Sequence, residues 1–197
     1  LRINQSNSNA SLSILRDYNN KRGKKYPSEM NSRLSNLFPQ DKKQYWETTV
    51  NSFNSGSKSF TERYYAAQAK YNLVGIDFLK FRGIRFQLPA KDLMMAIKSK
   101  IEMLDVVTRG YLAVVSIGSP YWTVASLEAS GSVFLTMSDD YKKIPIPPEY
   151  QGDLKVQFQK SLSDKSSEYT KEGVTILTEG KQKAAELDVA SKSVESI

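Results

Sequence analysis

The sequence predicts an all-α protein, built of antiparallel helical hairpins stacked as a short tetratricopeptide-like solenoid and closed by a long C-terminal helix. Three observations predict it. From residue 60 onward apolar side chains recur at helical spacing. Gly118-Ser119-Pro120 encodes the end of one helix and the start of the next within three residues, with glycine as terminator, serine as N-cap and proline as first helical residue. The run Ile144-Pro145-Ile146-Pro147-Pro148 cannot continue a helix, because its prolines lack amide donors and restrict their predecessors.

Two segments differ in composition. Residues 1–59 are rich in Asn, Ser and Lys, poor in apolar residues and partly helical. One helical patch there holds Leu12, Leu15 and Tyr18, and another holds Met30, Leu34, Leu37 and Phe38. A third follows Pro39-Gln40-Asp41 with Tyr45, Trp46, Val50 and Phe53 on one side. Asn51 to Ser57 reads as a turn or linker. Residues 60–197 form the helical domain.

In that domain the first helix carries Ala66, Ala69, Leu73 and Ile76 on one face. Ala67, Tyr71, Val74, Phe78 and Phe81 lie on a neighbouring face. A helix apolar on two sides packs between two neighbours. It is expected to end near Phe86. The second helix starts at Pro89 or Ala90 and carries a stripe of Leu93, Ile97, Ile101, Leu104, Tyr111 and Val115 up to Gly118. The Gly-Ser-Pro connection is so short that the second and third helices must be antiparallel neighbours.

The third helix places Leu127, Phe134 and Tyr141 on one face and Trp122, Ala125, Ala129, Val133 and Met137 on another. Ala129, Gly131 and Ser132 are small enough for close helix approach. The proline run then crosses as an extended strap that restarts the chain at Pro148. The last helix, from Glu149 to about Leu187, has a narrow stripe of Leu154, Phe158, Leu162, Tyr169, Ile176, Ala184 and Leu187. The rest of it is charged, as in an edge or capping helix.

Composition narrows the function. The chain has 197 residues, a hydrophobic share of 40% and a net charge of +7. Its mean hydropathy is -0.48 and its pI about 9.4. There is no Cys and no His. This rules out disulfides, thiolate or imidazole metal ligation and an imidazole base. The basic balance suits either a solubilising surface or contact with nucleic acid or an anionic membrane. The tight cluster Lys21-Arg22-Gly23-Lys24-Lys25 is the place for such contact, but no aromatic platform accompanies it. The longest apolar run, Tyr111 to Val115, is far short of the roughly 20 residues a bilayer span needs. Because the chain starts at Leu1, a leader is expected to have been removed.

Few residues suggest chemistry. Gly56-Ser57-Lys58-Ser59 lacks the first glycine and the preceding strand of a phosphate-binding loop. Asp77, Glu102, Asp105 and Glu128 sit within apolar helical stretches. They read as acids with raised pKa or as surface partners of Arg82, Lys98 and Arg109, and no spacing pairs two of them across a cleft. Tyr121 and Trp122, with Tyr111 and Tyr141, either line a groove or fill the core. Trp122 and Tyr111 are expected in the core, whereas Tyr121 points off the main stripe. No catalytic, cofactor or metal residue is expected. The partner-binding candidates are Tyr121, Arg109, Arg82 and Lys98, the cations suiting an acidic or extended peptide.

The order Ala66-x-x-Ala69, Gly75-Ile76-x-Phe78-x-x-Phe81-x-x-Ile84, a Lys98-to-Tyr111 helix containing Leu104, and Gly118-x-x-x-Trp122-x-x-Ala125 carries a resemblance. The proline strap and a long charged helix closing on Ala185-Glu186-Leu187-Asp188-Val189 complete it. Over about residues 60–197 this resembles the C-terminal part of large tetratricopeptide-like proteins associated with gliding motility in delta-type proteobacteria. The resemblance implies a non-enzymatic helical-repeat scaffold in an envelope-associated or periplasmic complex, binding other proteins and no small-molecule substrate. Two features depart from the pattern. Trp122-x-x-Ala125-Ser126-x-x-Ala129 is a degenerate form of the tetratricopeptide motif, and no exact 34-residue repeat runs through the chain.

Overall fold

The structure, a computed structural model, describes residues 27–189 together with Ile14 and Asp17. The Leu12, Leu15 and Tyr18 patch and the Lys21–Lys25 cluster lie outside the described residues. The described residues form six α-helices and a single 3-10 turn, with no strand. The helices are α1 (Pro27–Leu37), α2 (Lys42–Ser55), α3 (Phe60–Gly83), α4 (Ala90–Ile117), α5 (Pro120–Lys142) and α6 (Gly152–Glu186). The all-α expectation is met. The chain divides into two compact units at Leu73–Val74, within α3.

In the first unit α1 packs on α2. Its amino end is held by a carboxylate from another helix: Ser28 donates its backbone N–H to both oxygens of Glu62, at 3.2 and 3.1 Å. Negative charge at a helix N-terminus is favourable because the first amides there lack partners. Glu62 is fully buried and Met30 and Phe53 form the local core.

The second unit holds the longer helices. Val74 on α3 lies against Gly110 on α4, and Phe81 lies under the Lys100 ammonium. As numbers rise on α3 they fall on α4, so the two run antiparallel. Helix α4 turns into α5 through Gly118, whose φ of 77° and ψ of 39° are left-handed, as a terminating glycine requires. Pairs between α5 and α6 descend in the same way, from Ser138 with Ser166 through Gly131 with Gly173 to Leu127 with Gly180. Helices α4, α5 and α6 thus run down, up and down.

The second unit corrects several expectations. Helix α3 ends at Gly83, not near Phe86, and residues 84–89 form a loop. The strap keeps Ile144 and Pro147 buried, but α6 restarts at Gly152 after a turn at Pro148-Glu149. Ser119 is not a side-chain N-cap: Thr123 donates its N–H to the Ser119 carbonyl at 2.8 Å, and the buried hydroxyl has no hydrogen-bond partner. Leu154 is half exposed at the amino end of α6, where residues 151–157 are all exposed.

The core stripe of α4 also moves. Its buried residues are Leu93, Lys100, Leu104, Val107, Tyr111 and Val114, with Ile97 beside them. This is an alternating four-three spacing with a period of 3.5, the seam of an antiparallel pair of long helices. Ile101 falls outside it and is exposed, and Lys100 takes the inward position.

Candidate functional site

Helix α4 is apolar on two faces, and among the described residues only one of them is covered. The other carries Met94, Met95, Ile101, Val106 and Leu112, all exposed, with Met94 at 66% and Leu112 at 58%. Met94, Lys98, Ile101, Asp105, Arg109 and Leu112 recur at steps of three and four, so they share one side of the helix. Its charges are matched along that side. Lys98 lies 4.0 Å from Glu102, and Arg109 pairs with Asp105. The result is an apolar strip laced with locally neutralised ion pairs, reaching over roughly 27 Å at 1.5 Å per residue.

The sequence-derived candidates do not gather at one point. Lys98 and Arg109 share this outer strip of α4. Tyr121 stands half exposed at the first turn of α5, edge-on to Trp122 with ring centroids 5.0 Å apart. Arg82 ends α3, its guanidinium 5.9 Å from the Phe78 ring, and lines a separate hollow. Tyr111 is buried in the core as expected, whereas Trp122 is only half-buried.

The acids expected within apolar stretches are not buried acids. Glu102 and Asp105 are exposed and ion-paired, Asp77 pairs with Lys80 at 2.7 Å, and Glu128 is half-buried. The buried carboxylates are Glu62 and Glu29. Glu62 caps α1, and Glu29 takes a 2.8 Å bond from Arg33. Among the described residues no three acidic side chains gather where they could hold a metal ion. The Gly56-to-Ser59 loop also has a structural job. The Lys58 ammonium donates to the Phe53 carbonyl and sits 3.8 Å above the Phe53 ring, closing the end of α2.

The sequence reading missed Lys100. It is 1% exposed, donates to the Ile84 carbonyl at 2.9 Å and meets Asp140 at 2.6 Å. The Phe81 and Phe86 rings face the ammonium at 4.7 and 5.4 Å. A buried ammonium is tolerated because every side of it is occupied by an oxygen or an aromatic face. Its signal in the sequence is positional: at about 100° per residue, position 100 falls on the same face as positions 93, 104 and 111.

Between α5 and α6 lies a hydroxyl cluster. Ser138 Oγ is 2.8 Å from Ser166 Oγ and 2.7 Å from Thr170 Oγ1, and Ser166 also donates to the Ser138 carbonyl. Nearby, the Tyr141 and Tyr169 rings meet at 5.3 Å, and burial pushes the Tyr141 phenol well above its usual range, with the Tyr169 hydroxyl adding to the effect. The three hydroxyls satisfy one another.

No described helix is long and apolar enough to cross a membrane. Comparison with known proteins gives no matching family model, no matching curated protein and no matching solved structure.

Proposed function

We propose that the chain is a non-enzymatic helical scaffold that binds another protein through the outer strip of α4. The strip is the observation that carries this reading. Large exposed apolar side chains in continuous register are the pattern by which one helix receives another. Methionines at positions 94 and 95 suit an adaptable contact, since their unbranched side chains repack readily. Lys98 and Arg109 would set orientation at the rim and Tyr121 would extend the contact onto α5. Acting through such a face, the antiparallel hairpins would work as a short tetratricopeptide-like stack. The resemblance in residues 60–197 adds the setting: an envelope-associated, periplasmic complex of the gliding-motility type. Binding to nucleic acid or an anionic membrane gains little from this face, because Glu102 and Asp105 offset its two cations.

Crosslinking and affinity capture test the reading with paired variants. Ile101→Asp with Leu112→Asp should abolish capture of the bound protein while the melting temperature stays within a few degrees of wild type. Leu154→Asp, exposed on α6, should leave capture intact. Equal loss in both, or no loss in the α4 variant, would remove α4 as the binding face.

A further inference from the structure

We propose that the hollow where the end of α3 meets the end of α5 binds a phosphate-type dianion, a role separate from partner docking on α4. The hollow has a volume of about 450 Å3 and is lined by Arg82, Arg85, Lys143, Thr136, Asp139 and Asp140, among others. A second hollow of about 390 Å3 adjoins it and shares Arg85, Asp140 and Lys143. The size is that of a small-molecule site, and the lining is predominantly polar.

The charge balance points to an anion. Among the described residues Arg82, Arg85 and Lys143 take part in no ion pair, although two carboxylates line the same hollow. Those carboxylates are engaged elsewhere: Asp140 meets the buried Lys100 at 2.6 Å, and Asp139 meets Lys142 at 3.0 Å. The hydrogen bond and charge of Lys142, with Lys143 contributing, hold Asp139 below the usual carboxylate range. The hollow and its immediate wall thus bring five cations against two carboxylates, and Arg82, Arg85 and Lys143 are the exposed cations among its lining. A single carboxylate would neutralise too little of this charge. A phosphate group carries up to two charges and three acceptor oxygens, and two guanidinium groups present the planar forks that match it.

The fold explains why the cations gather. Gly83 ends α3 and Lys143 ends α5. The loop from Ile84 is tied down by the Lys100 bond to the Ile84 carbonyl, which fixes where Arg85 emerges. Lys100 therefore acts as a positioning residue: it holds the loop and occupies Asp140, leaving Arg85 and Lys143 for a ligand.

The test uses the full chain at fixed ionic strength. Inorganic phosphate and pyrophosphate are titrated by calorimetry. Phosphatidylcholine vesicles with and without phosphatidic acid are used in co-sedimentation. Saturable binding of at least one phosphate-bearing probe is expected. Arg82→Gln and Arg85→Gln should each weaken it about tenfold, and Lys143→Gln by a smaller factor. Asp139→Asn should strengthen binding by removing a like charge. Lys181→Gln, an exposed cation on α6, should leave binding unchanged. Both arginines are exposed and, among the described residues, in no ion pair, so their variants should keep the wild-type melting temperature, and Lys143→Gln provides an independent check. Binding of the free anions assigns a soluble ligand. Binding only to phosphatidic acid vesicles, lost in the same variants, assigns a lipid headgroup. No binding of any probe, or an affinity within twofold of wild type in both arginine variants, would overturn the proposal. Neither result bears on α4, whose test reads protein capture.

Discussion

The two long interfaces around α5 are made by opposite means. Toward α4, the buried residues are large and apolar: Leu93, Leu104, Val107, Tyr111 and Val114 on α4, with Val133 and Met137 on α5. Their stability comes from area removed from water, about 1.5–3 kcal/mol for each fully buried side chain of this size. Toward α6 the buried residues of α6 are Ser166, Gly173, Gly180 and Ala184. Here the backbones themselves approach. A Cβ built on Gly131 would stand 2.9 Å from the Gly173 carbonyl, and one on Gly173 would stand 2.9 Å from the Gly131 carbonyl. The first interface is held by volume and the second by the absence of it. The first should absorb a change of side chain by repacking, whereas at Gly131 and Gly173 the second sets backbone carbonyls in the way of any added side chain.

The largest effect is therefore expected at the glycines. Gly131→Ala or Gly173→Ala should each destabilise by about 3 kcal/mol, because the clash is with backbone and with the Leu177 or Leu135 stem. The double variant should cost well under the sum, since a single separation of the helices accommodates both methyls. Urea melts of the four-member cycle read this directly. Additive costs would mean that the two helices are not in close backbone contact at this point.

A smaller effect is expected at the Lys100–Asp140 contact between α4 and α5. Asp140→Ala leaves the Lys100 charge buried with the Ile84 carbonyl as its remaining oxygen partner, at a cost of about 2–3 kcal/mol. Lys100→Met should be close to neutral in the same melts, since an apolar chain of similar length fits between Phe81 and Phe86. If both variants cost the same, the pair contributes as an ion pair and not as a satisfied charge.

The smallest effect at neutral pH lies at the lower end of the α5–α6 interface. The Tyr141 phenol has a folded pKa raised above its ordinary value of 10.0, chiefly by burial. Its stabilising contribution is fully present below pH 10 and is lost as pH rises through the folded value, because the unfolded chain ionises first. Melting temperature followed from pH 8 to 12 should fall less steeply in Tyr141→Phe than in wild type. An unchanged alkaline slope would show that the phenol is not desolvated.

The same comparison explains which parts were legible in the sequence. Glycine and proline punctuation located the α4–α5 turn within a residue, because Gly118 needs a left-handed backbone that few other residues adopt. The large apolar residues of α4 were also legible. Ile101 reads as inward because it is apolar, although at about 100° per residue it stands about 80° from the line of Leu93 and Tyr111, and the charged Lys100 only about 20°. The drift between periods of 3.6 and 3.5, about 20° per heptad, is too small to exchange the two; residue chemistry, not spacing, misplaces them. The α5–α6 interface was only half readable. Gly131 stood out as small, but Ser132 next to it faces solvent and bonds the Glu128 carbonyl. On α6 the stripe was sought among large residues, whereas the buried positions are Ser166, Gly173 and Gly180, which hydrophobicity does not mark. Of the site candidates, Lys98 and Arg109 proved to share one face with exposed methionines. Arg82 belongs to a hollow whose other cations, Arg85 and Lys143, come together only through the loop geometry after α3.

The even spacing of the small residues has a mechanical consequence. Gly131 and Ser138 are one heptad apart on α5, and Ser166, Gly173 and Gly180 follow the same interval on α6. A slide of α6 by seven residues, about 10.5 Å, would again set a notch opposite a notch: Gly180 against Gly131 and Gly173 against Ser138. Steric fit alone therefore offers more than one stop along the track. The hydroxyls of Ser166 and Thr170 break the tie, because only the first stop lets them reach Ser138. The glycines cut the rail and three hydroxyls act as its pin, so a longitudinal load on α6 is resisted by hydrogen bonds as well as by packing.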